Sequence, residues 1–263
     1  TYFFLNLTIK KMKKKINLEN YLIYVLLATV CDVMPLRNLN RFIALNVLKK
    51  FSLNQNKALN EIYLLSNKNN KINVEDIGFL IGPILNSGGR LRRSSYATDL
   101  LSSDDTIFIK KRAKQLFELN NKRKLIENRT LENIDFNSLS KKNEVIVLYK
   151  PNINEGIIGI IAAKLKEFFN KPSLVITNSG NILKGSARSI EGFNLGLLIK
   201  NAINQNLILN GGGHEMAAGF SLNKNKVNSF INFINLNFKK LNKTSGTKFY
   251  FDFRMSSFLP NND

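Results

Sequence analysis

Gly211-Gly212-Gly213-His214-Glu215-Met216-Ala217-Ala218-Gly219-Phe220 holds the only histidine of the 263-residue chain, behind three glycines and ahead of two alanines and a fourth glycine. Consecutive glycines cost backbone entropy and persist where a turn needs positive φ or where another group approaches closely. The spacing predicts a tight turn that feeds a strand at Ala217–Leu222. Successive N–H groups in such a turn form an anion-binding concavity, and an imidazole beside it can donate to a phosphoryl oxygen or relay a proton. The plain alternative is a turn that the histidine merely caps.

Working outward, the flanking sequence reads as one α/β unit. Glu144–Tyr149 is a strand. Gly156–Phe169 is a helix with Ile157, Ile160, Ile161 and Leu165 on one face. Ser173–Thr177 and Leu183–Ser189 are strands, and Asn194–Asn204 is the helix before the glycine run. Val227, Phe230, Ile231, Ile234, Phe238 and Leu241 mark a last amphipathic helix. From Gly246, with Lys248–Phe253, a further β segment begins.

Upstream, residues 1–100 are expected to alternate between helices and short strands. Leu22–Val30 is a continuous apolar run, read as a buried strand delivering Asp32 at its C-terminal end, where open α/β sheets place ligand chemistry. A helix follows at about Asn38–Phe51, Asn67–Asn73 is a surface loop, and Val74-Glu75-Asp76 opens a short helix running into Gly82-Pro83. Asp104-Asp105 starts a long basic helix that ends near Leu131. Its apolar positions are sparse, which suits a helix bridging two lobes. No internal repeat is present.

A net charge of +20 predicts a polyanionic partner, nucleic acid before an anionic membrane surface. The lone Cys31 rules out an internal disulfide and a cysteine-based zinc site, so a reducing cytoplasm is the simplest setting. No apolar run reaches membrane-spanning length, and Tyr2–Leu7 lacks the flanks of a secretory signal.

Three further constellations can carry chemistry. In an extended strand Lys184, Ser186 and Arg188 share one face, and a cation, a hydroxyl and a guanidinium in a row suit phosphate contact; the plain alternative is an exposed polar strand face. Asn86-Ser87-Gly88-Gly89-Arg90 reads as a Gly-Gly turn presenting Arg90 to a cleft, or equally as a loop with a surface arginine. Asp32 follows an apolar run, where a carboxylate is costly unless paired or bound to metal. One aspartate does not make a hard-metal site, and no Asp/His cluster stands near it in sequence.

Together these pieces resemble the DHH phosphoesterase superfamily, and within it the single-strand-specific exonucleases that carry a DHHA1 domain. Thr29–Leu36 is similar to the family's fourth motif, whose aspartate, here Asp32, helps hold the catalytic metals. Asn86–Arg90 is similar to its Asn-Ala-x-Gly-Arg motif, and Gly156–Leu165 to the helix that opens the DHHA1 domain. Lys184–Ser189 and Gly211–Gly219 resemble that domain's phosphate-facing strand and glycine–histidine signature. The resemblance implies an α/β fold with residues 1–103 as the C-terminal part of a DHH domain, 104–135 as a connecting helix, 136–245 as a DHHA1 nucleic-acid-binding domain and 246–263 as the start of an OB-fold.

The resemblance also implies a cytoplasmic, monomeric 5′–3′ exonuclease acting on single-stranded DNA in repair and recombination, with two Mn²⁺ or Mg²⁺ ions. His214 and Asp32 would be catalytic, Asp32 as a metal ligand. Arg90, Lys184, Ser186, Arg188, Ser189 and the Gly211, Gly212 and Gly213 amides would hold substrate. The family's Asp-x-Asp and Asp-His-His motifs do not occur in this sequence, and Asn154 stands where the family often has histidine. The expectation is therefore a chain truncated at both ends and inactive alone. Rival readings are a small-substrate phosphoesterase of the same superfamily, acting on oligoribonucleotides or nucleotide phosphates, and a non-catalytic nucleic-acid-binding module. A third, the DHHA1-like accessory domain of a tRNA synthetase, is opposed by the first hundred residues.

Overall fold

The computed structural model describes residues 1–91, 93–140 and 144–241. The chain divides into two compact units, Thr1–Ile134 and Asp135–Asp263. The expected β segment from Gly246 lies outside the described residues.

The first unit is helical: α1 (Tyr2–Lys11), α2 (Leu22–Cys31), α3 (Asn38–Lys50), α4 (Lys57–Leu65), α5 (Val74–Asp76), a π-helical turn at Ile77–Ile81, α6 (Gly82–Leu91), α7 (Ser95–Ser102) and α8 (Thr106–Glu132). The expected alternation with strands is wrong here, because none of its described residues forms a strand. The Leu22–Val30 run is the body of α2. A continuous apolar run does not separate a buried strand from a buried helix by periodicity. Ile23, Leu26 and Leu27 supply the inward face, and the Thr29 hydroxyl donates back to the Val25 carbonyl at 2.8 Å. They pack with Leu59, Ile62, Tyr63, Ile77, Ile81 and Ile84 in one core.

The helix beginning at Val74 does not stop at Gly82-Pro83. Pro83 falls in the first turn of α6, just past the π turn, where a missing N–H is tolerated. α8 starts where expected, with the Asp105 carboxylate accepting from Ile107 N at 2.8 Å and Phe108 N at 3.2 Å. Ile109, Ala113 and Leu116 join the first unit's core, so the N-terminal half of α8 belongs to that unit's packing.

The second unit is a five-stranded mixed sheet. Its elements are α9 (Phe136–Ser140), β1 (Ile146–Tyr149), α10 (Ile158–Phe169), β2 (Ser173–Ser179), β3 (Ile182–Arg188), α11 (Leu195–Asn204), β4 (Asn210–Gly213), β5 (Ala217–Leu222) and α12 (Val227–Leu241). The strand order is β1-β2-β3-β5-β4; β1 and β2 are parallel and the other neighbours antiparallel. Leu174, Ile176, Leu183, Ala187, Ala218, Phe220 and Leu222 form one face with α11 and with Phe230, Ile234 and Phe238 of α12. α10 lies against β2 and β3, over the residues that alternate with these.

The glycine run corrects the expectation of a turn. Gly211–Gly213 are β4, an edge strand, and the positive-φ glycines are Gly180 and Gly192. Close approach, not turn geometry, explains two of the three. A Cβ on Gly211 would stand 2.9 Å from both Gly219 O and Ile199 Cγ2, and one on Gly213 would stand 2.3 Å from Ala217 O. Gly185 is held by the same logic, since a Cβ there would sit 2.1 Å from the Phe220 ring.

Candidate nucleic-acid interface

β3 is extended, so Lys184, Ser186 and Arg188 share the face opposite Leu183 and Ala187. Arg188 is half-buried. Its Nη1 donates to Ser186 Oγ at 3.2 Å and to Ala187 O at 2.9 Å. The other guanidinium nitrogen lies under the first turn of α10, where a Cβ on Gly159 would be 3.1 Å from both Arg188 Nη2 and Ser186 Oγ. Burial draws the Arg188 pKa down from its ordinary value, yet a guanidinium stays charged throughout the physiological range. Lys184 pairs with Glu155 at 2.7 Å. Lys184 and Ser179 hold the Glu155 carboxyl below the usual carboxylate range, against a smaller upward push from burial.

Beside this cationic row the sheet is bare. Register aligns Ser186 with Gly219 and Gly219 with Gly212, and likewise Lys184 with Ser221 and Ser221 with Asn210. A Cβ on Gly212 would meet nothing within 4 Å, and one on Gly219 only Gly185 O at 3.9 Å. Internal packing therefore does not require glycine at either position. A groove of about 310 Å³ runs here, lined by Glu155, Ile158, Lys184, Asn210, Gly219 and Ser221.

His214 is exposed and follows the last residue of β4. Its backbone N–H donates to Ala217 O at 2.9 Å, and Ala217 pairs with Arg188, so the His214 and Arg188 backbones lie in one cross-sheet row. That row spans two strand spacings, about 10 Å. The bend Glu215-Met216 is pinned from behind: Gly196 N donates to His214 O at 3.0 Å, Leu195 N to Glu215 O at 2.9 Å and Ser189 N to Met216 O at 2.9 Å. The expected anion cradle of turn amides is thus corrected, since the His214 N–H is engaged by Ala217 and the glycines belong to a strand.

Ser189 is also corrected as a phosphate contact. It is 1% exposed, and its hydroxyl donates to Phe193 O at 2.5 Å. Glu155 and Gly159 are parts of this face that sequence reasoning does not single out. An acid-glycine pair just before a helix, and a glycine inside its first turn, were the available signals.

In the first unit Asp32 is exposed at the C-cap of α2. Met34 N donates to Thr29 O at 2.9 Å and Val33 N to Val30 O at 3.0 Å, the Schellman pattern. Val33 takes its left-handed position at φ 54° and is 87% exposed, although a β-branched residue is disfavoured there. Arg90 is half-buried in the last turn of α6. The expected Gly-Gly turn before it is helix. Ser87 Oγ donates to Ile84 O at 2.6 Å and Leu116 O at 2.9 Å, and a Cβ on Gly88 would lie 3.2 Å from Leu116 Cδ2, so these small residues let α6 approach α8.

Among the described residues no group of three or more His, Cys, Asp or Glu side chains could hold a metal ion. Asp32 is a single carboxylate. The other acid of note, Asp76, is buried and fully partnered: it accepts from Tyr63 Oη at 2.7 Å, from Asn70 Nδ2 at 3.2 Å and from Lys68 Nζ. Burial alone would raise its pKa, but these donors hold it below the ordinary carboxylate value.

A mixed sheet with a cationic strand face, a bare glycine floor and a histidine in the same row defines the class of the second unit. Residues 142–240 match the DHHA1 domain. Most of the chain is similar to RecJ. It is 34% identical over 233 residues to the single-stranded-DNA-specific exonuclease RecJ of Haemophilus influenzae, covering 83% of this chain and 40% of the relative. It is 34% identical over 201 residues to RecJ of Bacillus subtilis, covering 74% of this chain and 25% of the relative. The structure of RecJ from Thermus thermophilus in complex with Mn²⁺ shares the fold, with a TM-score of 0.78 at 23% identity over 88% of this chain and 34% of that one. The chain thus spans two fifths or less of the length of these curated relatives. No described helix is long and apolar enough to cross a membrane.

Proposed function

We propose that the second unit holds the sugar–phosphate backbone of single-stranded DNA along β3, and that the protein acts as a RecJ-like 5′–3′ exonuclease in repair and recombination, in the cytoplasm. The observation that carries this reading is the pairing of a fixed guanidinium with open glycines. Arg188 is held by Ser186 and by α10, while Gly212 and Gly219 keep the adjacent sheet bare without serving any internal contact. A polyanionic backbone can approach such a floor to hydrogen-bonding distance, and Arg188 and Lys184 meet its charge. The names of the RecJ relatives supply the substrate class.

His214, in the backbone row of Arg188, would donate to a phosphoryl oxygen. RecJ structures hold Mn²⁺ or Mg²⁺, and divalent ions are the cofactor the family reading carries. The described residues of this chain do not fit such an ion by themselves, because Asp32 has no second ligand in a cluster. No hydrolytic step is therefore assigned to them.

That same observation favours a second reading, in which the 263-residue chain binds strands without cutting them. Both readings are tested by fluorescence anisotropy of an end-labelled oligothymidine at graded salt, followed by addition of Mn²⁺. Binding that falls as salt rises, and that weakens in Arg188→Ala, supports the strand-holding face. Degradation after Mn²⁺ supports the exonuclease, and intact oligonucleotide supports the binding module. Equal affinity of wild type and Arg188→Ala removes the strand-holding assignment.

A further inference from the structure

We propose that Glu155 is a positioning residue that masks Lys184, so that a strand is gripped firmly at Arg188 and only weakly at Lys184, an inference that rests on the strand-holding reading above. Both cations project from one face of β3, but their partners differ. The Arg188 guanidinium donates to neutral oxygens, Ser186 Oγ at 3.2 Å and Ala187 O at 2.9 Å. The Lys184 ammonium donates to a carboxylate, Glu155 Oε2 at 2.7 Å. About 13 Å of strand separates the two cations, so they meet different phosphates of one backbone.

The pair is built across the fold. Glu155 stands in the turn leading into α10, 29 residues before Lys184. Ser179, the last residue of β2, gives the carboxylate a second donor, and the two donors hold its carboxyl below the usual range. Among the described residues that line the groove, Glu155 is the one acid and Lys184 the one base. An acid in a wall that receives a polyanion needs a reason. A phosphate drawn to the ammonium comes within a few ångströms of the carboxylate, and at equal separation like charges repel as strongly as opposite charges attract. The ammonium has three donors but a single charge. It either leaves Glu155 or shares that charge between two anions, and in both arrangements it gives the strand less than an uncompensated lysine would. The plain alternative is that Glu155 serves only the positive end of α10. That role would show in stability and would not depend on Lys184 when a strand binds.

The test is a double-mutant cycle in the full 263-residue chain. Wild type, Glu155→Gln, Lys184→Ala and the double variant, with Arg188→Ala beside them, are each titrated with labelled oligothymidine at graded salt. Glu155→Gln is expected to bind about two- to five-fold more tightly and to steepen the slope of log K against log salt by about 0.7, the count for one more neutralised phosphate. Lys184→Ala should weaken binding by a larger factor in the Glu155→Gln background than in the wild type, and should abolish the added slope, since only the unmasked lysine fully meets a phosphate. Affinity and slope unchanged by Glu155→Gln overturn the mask. Equal factors for Lys184→Ala in the two backgrounds also overturn it, because Glu155 would then be an additive repulsive charge. Arg188→Ala reports separately: unaltered binding by that variant removes the strand-holding face, whatever the cycle gives. Far-UV circular dichroism checks each fold, and Glu155→Ala gives the same comparison should Glu155→Gln not fold.

Discussion

Gly212 and Gly213 are adjacent, equally exposed and indistinguishable in sequence, yet the structure separates them sharply. A Cβ on Gly213 would lie 2.3 Å from Ala217 O and 2.6 Å from Ala218 Cα. These are backbone atoms of the paired strand and cannot swing aside as a flexible side chain could. Gly213→Ala therefore forces β4 away from β5, at a cost of about 1–3 kcal/mol or more. A Cβ on Gly212 meets nothing within 4 Å, and its φ is not positive. Gly212→Ala should leave the fold as stable as before or add about 0.4–1 kcal/mol, by narrowing the unfolded ensemble. Gly212→Val keeps the fold equally well but stands a branched side chain on the open sheet floor beside Gly219. If that floor receives the DNA backbone, Gly212→Val should weaken oligothymidine by about 1.5–3 kcal/mol, the scale of a lost charge-assisted contact. Thermal unfolding by circular dichroism gives the stability half and anisotropy titration the binding half. Equal destabilisation by Gly212→Ala and Gly213→Ala would refute the packing argument. Wild-type binding by Gly212→Val would refute the floor.

Arg188→Ala should lower affinity for single-stranded DNA by about 1.5–3 kcal/mol and reduce the slope of log K against log salt by about 0.7; Arg188→Lys should restore the charge but not the planar guanidinium held by Ser186 and Ala187, which anisotropy at several salt concentrations would show. Val33→Gly removes a left-handed β-branched residue, a relief of about 1–2 kcal/mol partly offset by about 0.5–1 kcal/mol of added unfolded-state freedom. A modest rise in melting temperature is expected, and a fall would mean that the Val33 side chain is held by contacts of its own. Asp76 has a pKa below its ordinary value in the folded chain, so its contribution is complete above the unfolded carboxylate pKa and is lost as pH falls through the folded one. Asp76→Asn should destabilise by about 1–3 kcal/mol at neutral pH and flatten the acid limb of the stability profile, measured by denaturant titration from pH 7 downward.

The second unit was legible almost throughout because its local signals agree with its packing. Its strands are short and bounded by polar residues, its helices are amphipathic, and the Asn194 cap sits where the helix pattern starts; the Asn194 side chain indeed accepts from Leu197 N at 3.0 Å. The first unit misled at Leu22–Val30 for a definite reason. A run that is apolar all round carries no period, and only its neighbours decide whether it pairs with strands or packs among helices. Here α3 and the π-helical turn at Ile77–Ile81 are the neighbours, and the run is a helix. The same limit applies to Gly88, which reads as part of a turn until α8 is seen to need its close approach.

Residue types alone determined the cationic character of the chain and the shared face of Lys184, Ser186 and Arg188, because charge and a period of two are properties of the chain itself. Tertiary structure decided how the site residues are disposed. It turned Ser189 inward toward Phe193, made the glycines an edge strand, set Gly212 apart from Gly211 and Gly213, and brought His214 into the row of Arg188 through Ala217. Those outcomes depend on strand register and on the atoms that approach from elsewhere in the fold, and neither is written in local sequence.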